Sequence, residues 1–362
     1  MRNLPFPVAR SSALGLPKAR REGSIRAGPK GNAMNLLRRA IAIAVVSVSS
    51  TGLAGAQQGS GADAAAFPNR AIRIIVPFPA GGPSDVLARL IGQKMSEDWG
   101  QPVVIENRPG GNTVIGAQVV AKAAPDGYTM LMAIDSTLTM NQYLYRTPPY
   151  NPLDDFAPIT LVAKTMQLLM VNAASDVRTV QDLIAKAKAQ PGKLNYGAGT
   201  ITTKLTGYQF NKAAGVDTVL VPYNGSAEVT HGLLTRSVEF AFDGPSAAAS
   251  LIEGGQFRVL AKFDGRPFPL VPDAPNVTTI VPSLDEIVVW LGLVAPKGTP
   301  PAIVEKLQRE VAKILVDPAI KARADAAGLY PATDTPAEFA AFIRKEAARW
   351  SKVVAESGMK YD

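Results

Sequence analysis

Between residues 71 and 134 the chain alternates short apolar runs with stretches of four-residue apolar spacing. AIRIIVPF (71–78) is nearly continuous in apolar residues, as in a strand buried on both faces of a parallel sheet. PVVIEN (102–107) and YTMLMAI (128–134) are the next two strand-length runs. Between the first two, Leu87, Ile91, Met95 and Trp99 recur every four residues, a stripe that faces a core from a helix. TVIGAQVVAKAAPDG (113–127) reads as a second helix, ended near Pro125 and Gly127. Strand–helix–strand–helix–strand points to an open α/β sheet.

The pattern then repeats. Residues 135–160 are rich in loops, with Pro148, Pro149, Pro152 and Pro158, and ITLVAKTMQLLMVN (159–172) is a long extended run. A helix over 178–190 ends at Pro191 and Gly192, and strands at VDTVLVPY (216–223), VEFAFDG (238–244) and FRVLAKF (257–263) alternate with helices at 226–237 and 245–256. After a proline-rich link come a strand at 287–296 and two helical stripes, Ile303, Leu307, Val311, Leu315 and then Phe339, Phe342, Ile343, Trp350. Two α/β units joined by extended segments imply two lobes around a cleft. The expected division is 70–160 with 285–362 as the first lobe and 161–284 as the second. Ligands of open α/β sheets bind beyond the carboxyl ends of the strands, which selects PFPAGGPSD (77–85), GAGTITTK (197–204) and FDGPS (242–246).

The first of these turns places Pro77, Pro79, Gly81, Gly82 and Pro83 before a helix. Proline at a first helical position costs no hydrogen bond, and glycine lets backbone approach a ligand without a Cβ in the way. A helix N-terminus has unpaired N–H groups and partial positive charge, so AGGPSD is either an anion seat or a strand-to-helix turn with ordinary capping. Ser84 adds a hydroxyl, and Asp85 can cap the turn. NYGAGTITTKLTG (195–207) repeats the device in the second unit, with Gly197 and Gly199 followed by Thr200, Thr202 and Thr203. Lys204 begins a helix facing this seat, where it either pairs with a second ligand carboxylate or is solvated. Neither turn has the glycine spacing of a nucleotide-binding loop.

Charge excludes a class of partner. Residues 1–56 hold nine of the 38 Lys and Arg and one of the 30 acids, so 57–362 carries 29 of each. A neutral body gives no basic surface for nucleic acid. Within MNLLRRAIAIAVVSVSSTGLAGA (34–56), Arg38 and Arg39 precede an apolar run that ends in Ala54-Gly55-Ala56. That is the layout of a cleaved signal peptide; as a membrane anchor, the unbroken apolar part from Ala40 to Val46 falls short of about 20 residues. Residues 1–33 read as an upstream extension, with Met34 as the natural start, and 57–69 as a flexible lead. There is no cysteine, so thiol chemistry is excluded and packing alone stabilises the exported protein.

His231 is the one histidine and lies mid-helix, without a nucleophile motif such as G-x-S-x-G. No catalytic residue, metal site or cofactor is expected. Asp154 and Asp155 read as a solvated loop or cap, while Trp290 and Tyr223 either line a ligand or pack.

The ordered motifs IRIIVPFPAGGPSDVLARLIGQKM, GQPVVIENRPGG, AAPDGYTMLM, DDFAPITLVA, LNYGAG, VPYNGS, FDGPSA and WLGLVAPKGTP together resemble the periplasmic substrate-binding proteins of tripartite tricarboxylate transporters, the Bug family. The likeness covers nearly all of 70–362. It implies a two-lobed type II periplasmic-binding-protein fold, periplasmic location, and a small organic acid delivered to the large and small membrane subunits of a permease. The family grips the carboxylate with backbone amides, hydroxyls and water from two loops. These loops map onto Phe78–Asp85, including Ala80, and onto Gly197–Thr203, with Asp243 matching an acidic residue after a strand. Ser136 and Tyr223 complete the expected contacts, and the protein is expected to act as a monomer. Pro83 and Lys204 depart from the family's usual Ser and His. The rival readings are delivery of ligand to a sensor and, from another class, a hydrolase using the same anion seats.

Cleavage is expected after Ala56, so that the mature chain begins QQGSGADAAAF. Mass spectrometry of the exported protein checks this; an intact 34–56 segment on it would sink the signal-peptide reading.

Overall fold

A computed structural model describes residues 64–361. The expected extension, signal peptide and first part of the lead (1–63) lie outside the described residues.

The first lobe begins as the periodicity implies. Strand β1 (Ile72–Val76) leads to helix α1 (Pro83–Trp99), β2 (Val103–Asn107), α2 (Val114–Ala121) and β3 (Thr129–Ile134). β1 pairs in parallel with both β2 and β3, which is why its residues are apolar on both faces. Leu87, Ile91 and Met95 of α1 are fully buried in the core beneath the sheet. The helix starts with proline in its first turn and stops at Gly100, whose φ of 64° is left-handed.

Two short helices, α3 (Asp135–Thr139) and α4 (Asn141–Leu144), follow. The extended run then proves to be two strands in two different sheets: β4 (Phe156–Thr165) in the first lobe and β5 (Leu168–Asn172) in the second. Only Met166 and Gln167 lie between them. The second lobe continues with α5 (Val180–Ala189), β6 (Asn195–Ala198), α6 (Ile201–Ala214), β7 (Val219–Pro222), α7 (Ser226–Leu234), β8 (Phe240–Asp243), α8 (Ala249–Glu253) and β9 (Phe257–Lys262). The chain returns through β10 (Val289–Pro296), α9 (Pro301–Leu315), α10 (Pro318–Ala326), β11 (Leu329–Pro331) and α11 (Pro336–Ser357).

The sheets are six-stranded, in the order β11-β4-β10-β3-β1-β2, and five-stranded, in the order β7-β6-β8-β5-β9. Each has a parallel part and antiparallel returns. β10 runs against β3 and β4, and β5 runs against β8 and β9. The outgoing and returning strands are paired on both sides of the crossing: Thr165 faces Val289 in one sheet, and Leu168 faces Lys262 in the other.

Two features differ from the sequence reading. The lead does not run to residue 69 as a flexible segment. Phe67 is 3% exposed, packs edge-on against Trp99 and Tyr128, and its carbonyl accepts from Lys306 Nζ of α9. The C-terminus does not belong to the first lobe throughout. Phe339 and Ile343 of α11 enter a first-lobe core, whereas Trp350, Val354 and the following Met359 and Tyr361 pack with the strands of the second lobe, together with Met140 and Leu144. Helix α11 is therefore a strap across both lobes.

Phe67→Ala is expected to destabilise the protein by about 3 kcal/mol, the usual cost of truncating a buried aromatic. Urea unfolding measures it; no change in midpoint would mean the segment is not part of the core.

Candidate functional site

The turn after β1 is built by two glycines with different tasks. Gly81 has φ +90°, a left-handed conformation that side chains disfavour. Gly82 is extended, with φ −83° and ψ 173°, and serves as the N-cap of α1. A Cβ there would meet nothing within 4 Å, because the space beyond it is the cleft. Asp85, in the first turn of α1, accepts from Gly81 N–H at 3.0 Å, from Asn107 Nδ2 at 3.0 Å and from Arg89 Nε at 2.9 Å. Burial works to raise its pKa, but these donors prevail and hold the carboxyl below its ordinary range. Among the described residues nothing accepts from the N–H groups of Gly82 and Ser84, and Ser84 Oγ is likewise unengaged.

The second lobe brings two helix N-termini to the same cleft. α6 begins with a capping box in which Thr200 Oγ1 accepts from Thr203 N–H at 3.1 Å, and Thr203 Oγ1 accepts from Thr200 N–H at 3.0 Å. α7 is capped by Gly225 with no side-chain bond, which leaves the Ser226 and Ala227 N–H groups unpaired among the described residues. The two second-lobe loops touch. A Cβ on Gly199 would lie 2.8 Å from the Gly225 carbonyl carbon, so only glycine fits there. The lobes also meet across the cleft: Pro79 Cδ is 3.5 Å from where a Cβ on Gly225 would stand, and Pro83 Cγ is 4.0 Å from that of Gly244.

Two compartments remain, sharing Phe78 and Thr200. The larger admits the centres of water-sized molecules over about 50 Å³, room for a few waters. The first lobe gives it Phe78, Ala80, Gly82 and Ser84; the second gives Thr203, Gly225, Ser226 and Asp243; Met166 and Gln167 enter from the crossing. The smaller, about 30 Å³, is lined by Asn112, Thr113, Ser136, Gly199, Ile201 and Tyr223 among others.

The structure thus gathers Phe78, Ala80, Gly82, Ser84, Ser136, Gly199, Thr200, Thr203, Tyr223 and Asp243 around the cleft. Five of the expected contacts, Gly81, Asp85, Gly197, Thr202 and Lys204, do not line it. Gly81 is exposed, and Asp85 is engaged in bracing the turn. Gly197 lies under Tyr223 and Val238 within the second lobe. Thr202 is buried and donates to Asp135 Oδ1 at 2.7 Å. Lys204, 5% exposed, is not solvated. Its Nζ donates to Asn112 Oδ1 at 3.2 Å, beside the smaller compartment, and burial lowers its pKa. It has no acidic partner among the described residues. Trp290 packs against Phe339 and Phe342. His231 is exposed in the last turn of α7, and no group of His, Asp and Glu able to hold a metal occurs among the described residues. The sequence reading missed Gln167 and the start of α7, although NGSAE (224–228) carries the same glycine-then-helix signal as the other two turns.

Two acids are fully enclosed at the cleft. Asp135 accepts from Thr202 across the lobes and from Ser136 N–H. Asp243 accepts from Ser226 Oγ at 2.9 Å and Gly244 N–H at 2.8 Å. Desolvation exceeds what these donors give back. It pushes Asp135 up to about 7, helped by the nearby Glu346, and Asp243 up to about 6. An acid with a raised native pKa stabilises the fold fully below its unfolded value near 4, and that contribution is lost as pH rises through the native pKa. The ligand-free protein should therefore melt at a higher temperature near pH 5 than near pH 8, the loss setting in above about pH 4 and finishing near the native values of about 6 and about 7. Thermal melts of Asp135→Asn and Asp243→Asn should show a flatter profile; wild-type and variant profiles of equal slope would overturn the assignment.

Comparison with known proteins agrees with this architecture. Residues 87–359 match the tripartite tricarboxylate transporter family receptor model. Protein BugT of Bordetella pertussis is 33% identical over 299 residues, covering 81% of this chain and 91% of that protein. A solved periplasmic transporter is 37% identical with a TM-score of 0.77, covering 82% of this chain and 100% of the other. The R. palustris protein Rpa4515, solved with adipate, is 34% identical with a TM-score of 0.78, covering 81% and 99%. These relatives are solute-binding proteins and not enzymes, which removes the hydrolase reading. A cleft between two α/β lobes, walled by three helix N-termini, is what such a receptor requires, and the chain belongs to the tripartite tricarboxylate transporter receptor family.

Proposed function

We propose that this chain is a periplasmic receptor that closes over a small organic acid and delivers it to the two membrane subunits of a tripartite tricarboxylate transporter. The observation that carries the reading is the pair of uncapped helix starts facing one cavity from opposite lobes. Gly82 and Ser84 of α1 and Ser226 and Ala227 of α7 offer N–H groups with no acceptor among the described residues. Hydrogen bonds from such donors to a charged acceptor are stronger than neutral ones, and their fixed geometry limits the entropy lost on binding. The adipate held by a relative of the same fold is a ligand of this chemistry. Periplasmic location follows the relatives and the signal-like segment at 34–56.

The seat itself is testable because Gly82 and Ser84 are separable from the fold. A Cβ at Gly82 meets no protein atom within 4 Å, and the backbone there is ordinary and extended, so a side chain would project into the cleft. Gly82→Val is expected to keep the melting temperature of the ligand-free protein and lose most binding. Ser84→Ala should weaken binding by about 1–2 kcal/mol, one hydrogen bond to a charged group. Calorimetry with a panel of small organic acids decides between outcomes. Normal binding by Gly82→Val would show that the turn is no part of the site.

A further inference from the structure

The larger compartment is asymmetric in a way that a carboxylate seat at α1 leaves unexplained. Its lining includes Asp243 and Gln167, 2% and 1% exposed. Asp243 ends β8 opposite Leu168, and Gln167 precedes Leu168 in the crossing, so strand register keeps the two residues adjacent. Both line the cavity. Asp243 Oδ1 is engaged by Ser226 and Gly244, but Oδ2 has no partner, and neither does the oxygen or the nitrogen of the Gln167 amide. Buried polar atoms are ordinarily paired, and these three belong to residues that wall the space where a solute would lie.

The charges around that space are of one sign. The ionisable residues lining it are Asp243 and Glu228. Glu228 accepts from the backbone and side chain of Asn224. No Lys, Arg or His lines this compartment among the described residues. Lys204 points its ammonium to Asn112, which borders the other compartment. Asp243 also accepts from Ser226 Oγ at the start of α7, so part of the favourable field of that helix start acts on the protein's own acid, while the Ser226 and Ala227 N–H groups stay open to the ligand. A second ligand carboxylate at this wall would face a buried carboxylate with no neutralising cation, which is costly in a dry site.

We infer that the second functional group of the solute is a nitrogen donor, an amine or a carboxamide, seated on Asp243 Oδ2 and Gln167, so that this receptor prefers an amino or amide-bearing monocarboxylate to a dicarboxylate. The inference rests on the α1 turn being the carboxylate seat. An N–H from the ligand to Asp243 makes a charge-assisted bond, and Gln167 Oε1 takes a second N–H. A carboxamide also uses Gln167 Nε2 as donor to its carbonyl; an ammonium gains more from Asp243.

Calorimetry near neutral pH with the whole exported protein tests it. The probes are succinate, succinamate, 4-aminobutanoate and butanoate, the six-carbon members adipate, adipamate and 6-aminohexanoate, and butanamide, which lacks the carboxylate. At one chain length or the other, a nitrogen compound should bind at least about tenfold more tightly than the diacid, the worth of one hydrogen bond to a charged group. The amide or the amine winning tells the two nitrogen groups apart. Asp243→Asn should abolish the preference, and Gln167→Leu should weaken nitrogen ligands more than it weakens butanoate. A diacid binding most tightly, or a nitrogen preference that survives both substitutions, overturns the inference and leaves the carboxylate reading intact. Butanamide binding while no acid binds overturns the carboxylate reading and keeps the nitrogen subsite. Failure of every probe overturns both.

Discussion

The geometry of this protein depends on one crossing. Thr165 is the last residue of a first-lobe strand and Leu168 the first of a second-lobe strand, so two residues span the junction. Each side of that junction is locked by antiparallel pairing to the returning chain, Thr165 to Val289 and Leu168 to Lys262 and Asp243. Backbone ladders permit little sliding, because a one-residue slip would turn every side chain to the opposite face. The two sheets are therefore held at fixed registers about a two-residue joint. The starts of α1, α6 and α7 converge only because strands β1, β6 and β7 end toward the same gap.

That convergence explains what the residues alone disclosed. The strand–turn–helix rhythm marks backbone that must emerge at the mouth of a sheet, so the turn after β1 and the turn after β6 were legible as cleft walls. The separate tasks of Gly81 and Gly82 were not, because one depends on a backbone angle and the other on empty space. Asp85 and Thr202 looked like ligand contacts since they sit beside glycines at helix starts. Which way such a side chain bonds is decided by residues distant in sequence, Asn107 in one case and Asp135 in the other. Gln167 was hidden inside an apolar run whose division between two sheets leaves no local mark. Phe67 was hidden by the small, polar residues before it, and the double allegiance of α11 by a stripe that is periodic throughout.

A common electrostatic scheme links the three helix starts. Each has an acid of the protein close to it: Asp85 braces the turn before α1, Asp135 receives Thr202 of α6, and Asp243 receives Ser226 of α7. At α1 the acid is tied to a guanidinium and its charge is stabilised. At the other two, burial raises the pKa and only neutral donors are bonded to the carboxyl, so that its charge, when ionised, has no cation on it. The cleft thus has one end where negative charge is already balanced and another where an incoming anion would add to an unbalanced one. On the reading proposed above, that difference orients the solute, with its carboxylate toward the α1 turn.

Helix α11 has a mechanical consequence. Its 22 residues form a rod of about 33 Å, anchored in a first-lobe core by Phe339 and in the second-lobe core by Trp350. Two lobes joined by strands alone could swing freely about a two-residue joint. A helix fixed at both ends acts as a leaf spring, since parting the lobes must bend it or unseat one end. The helix thereby resists parting of the lobes, and its stiffness limits how far the cleft can gape.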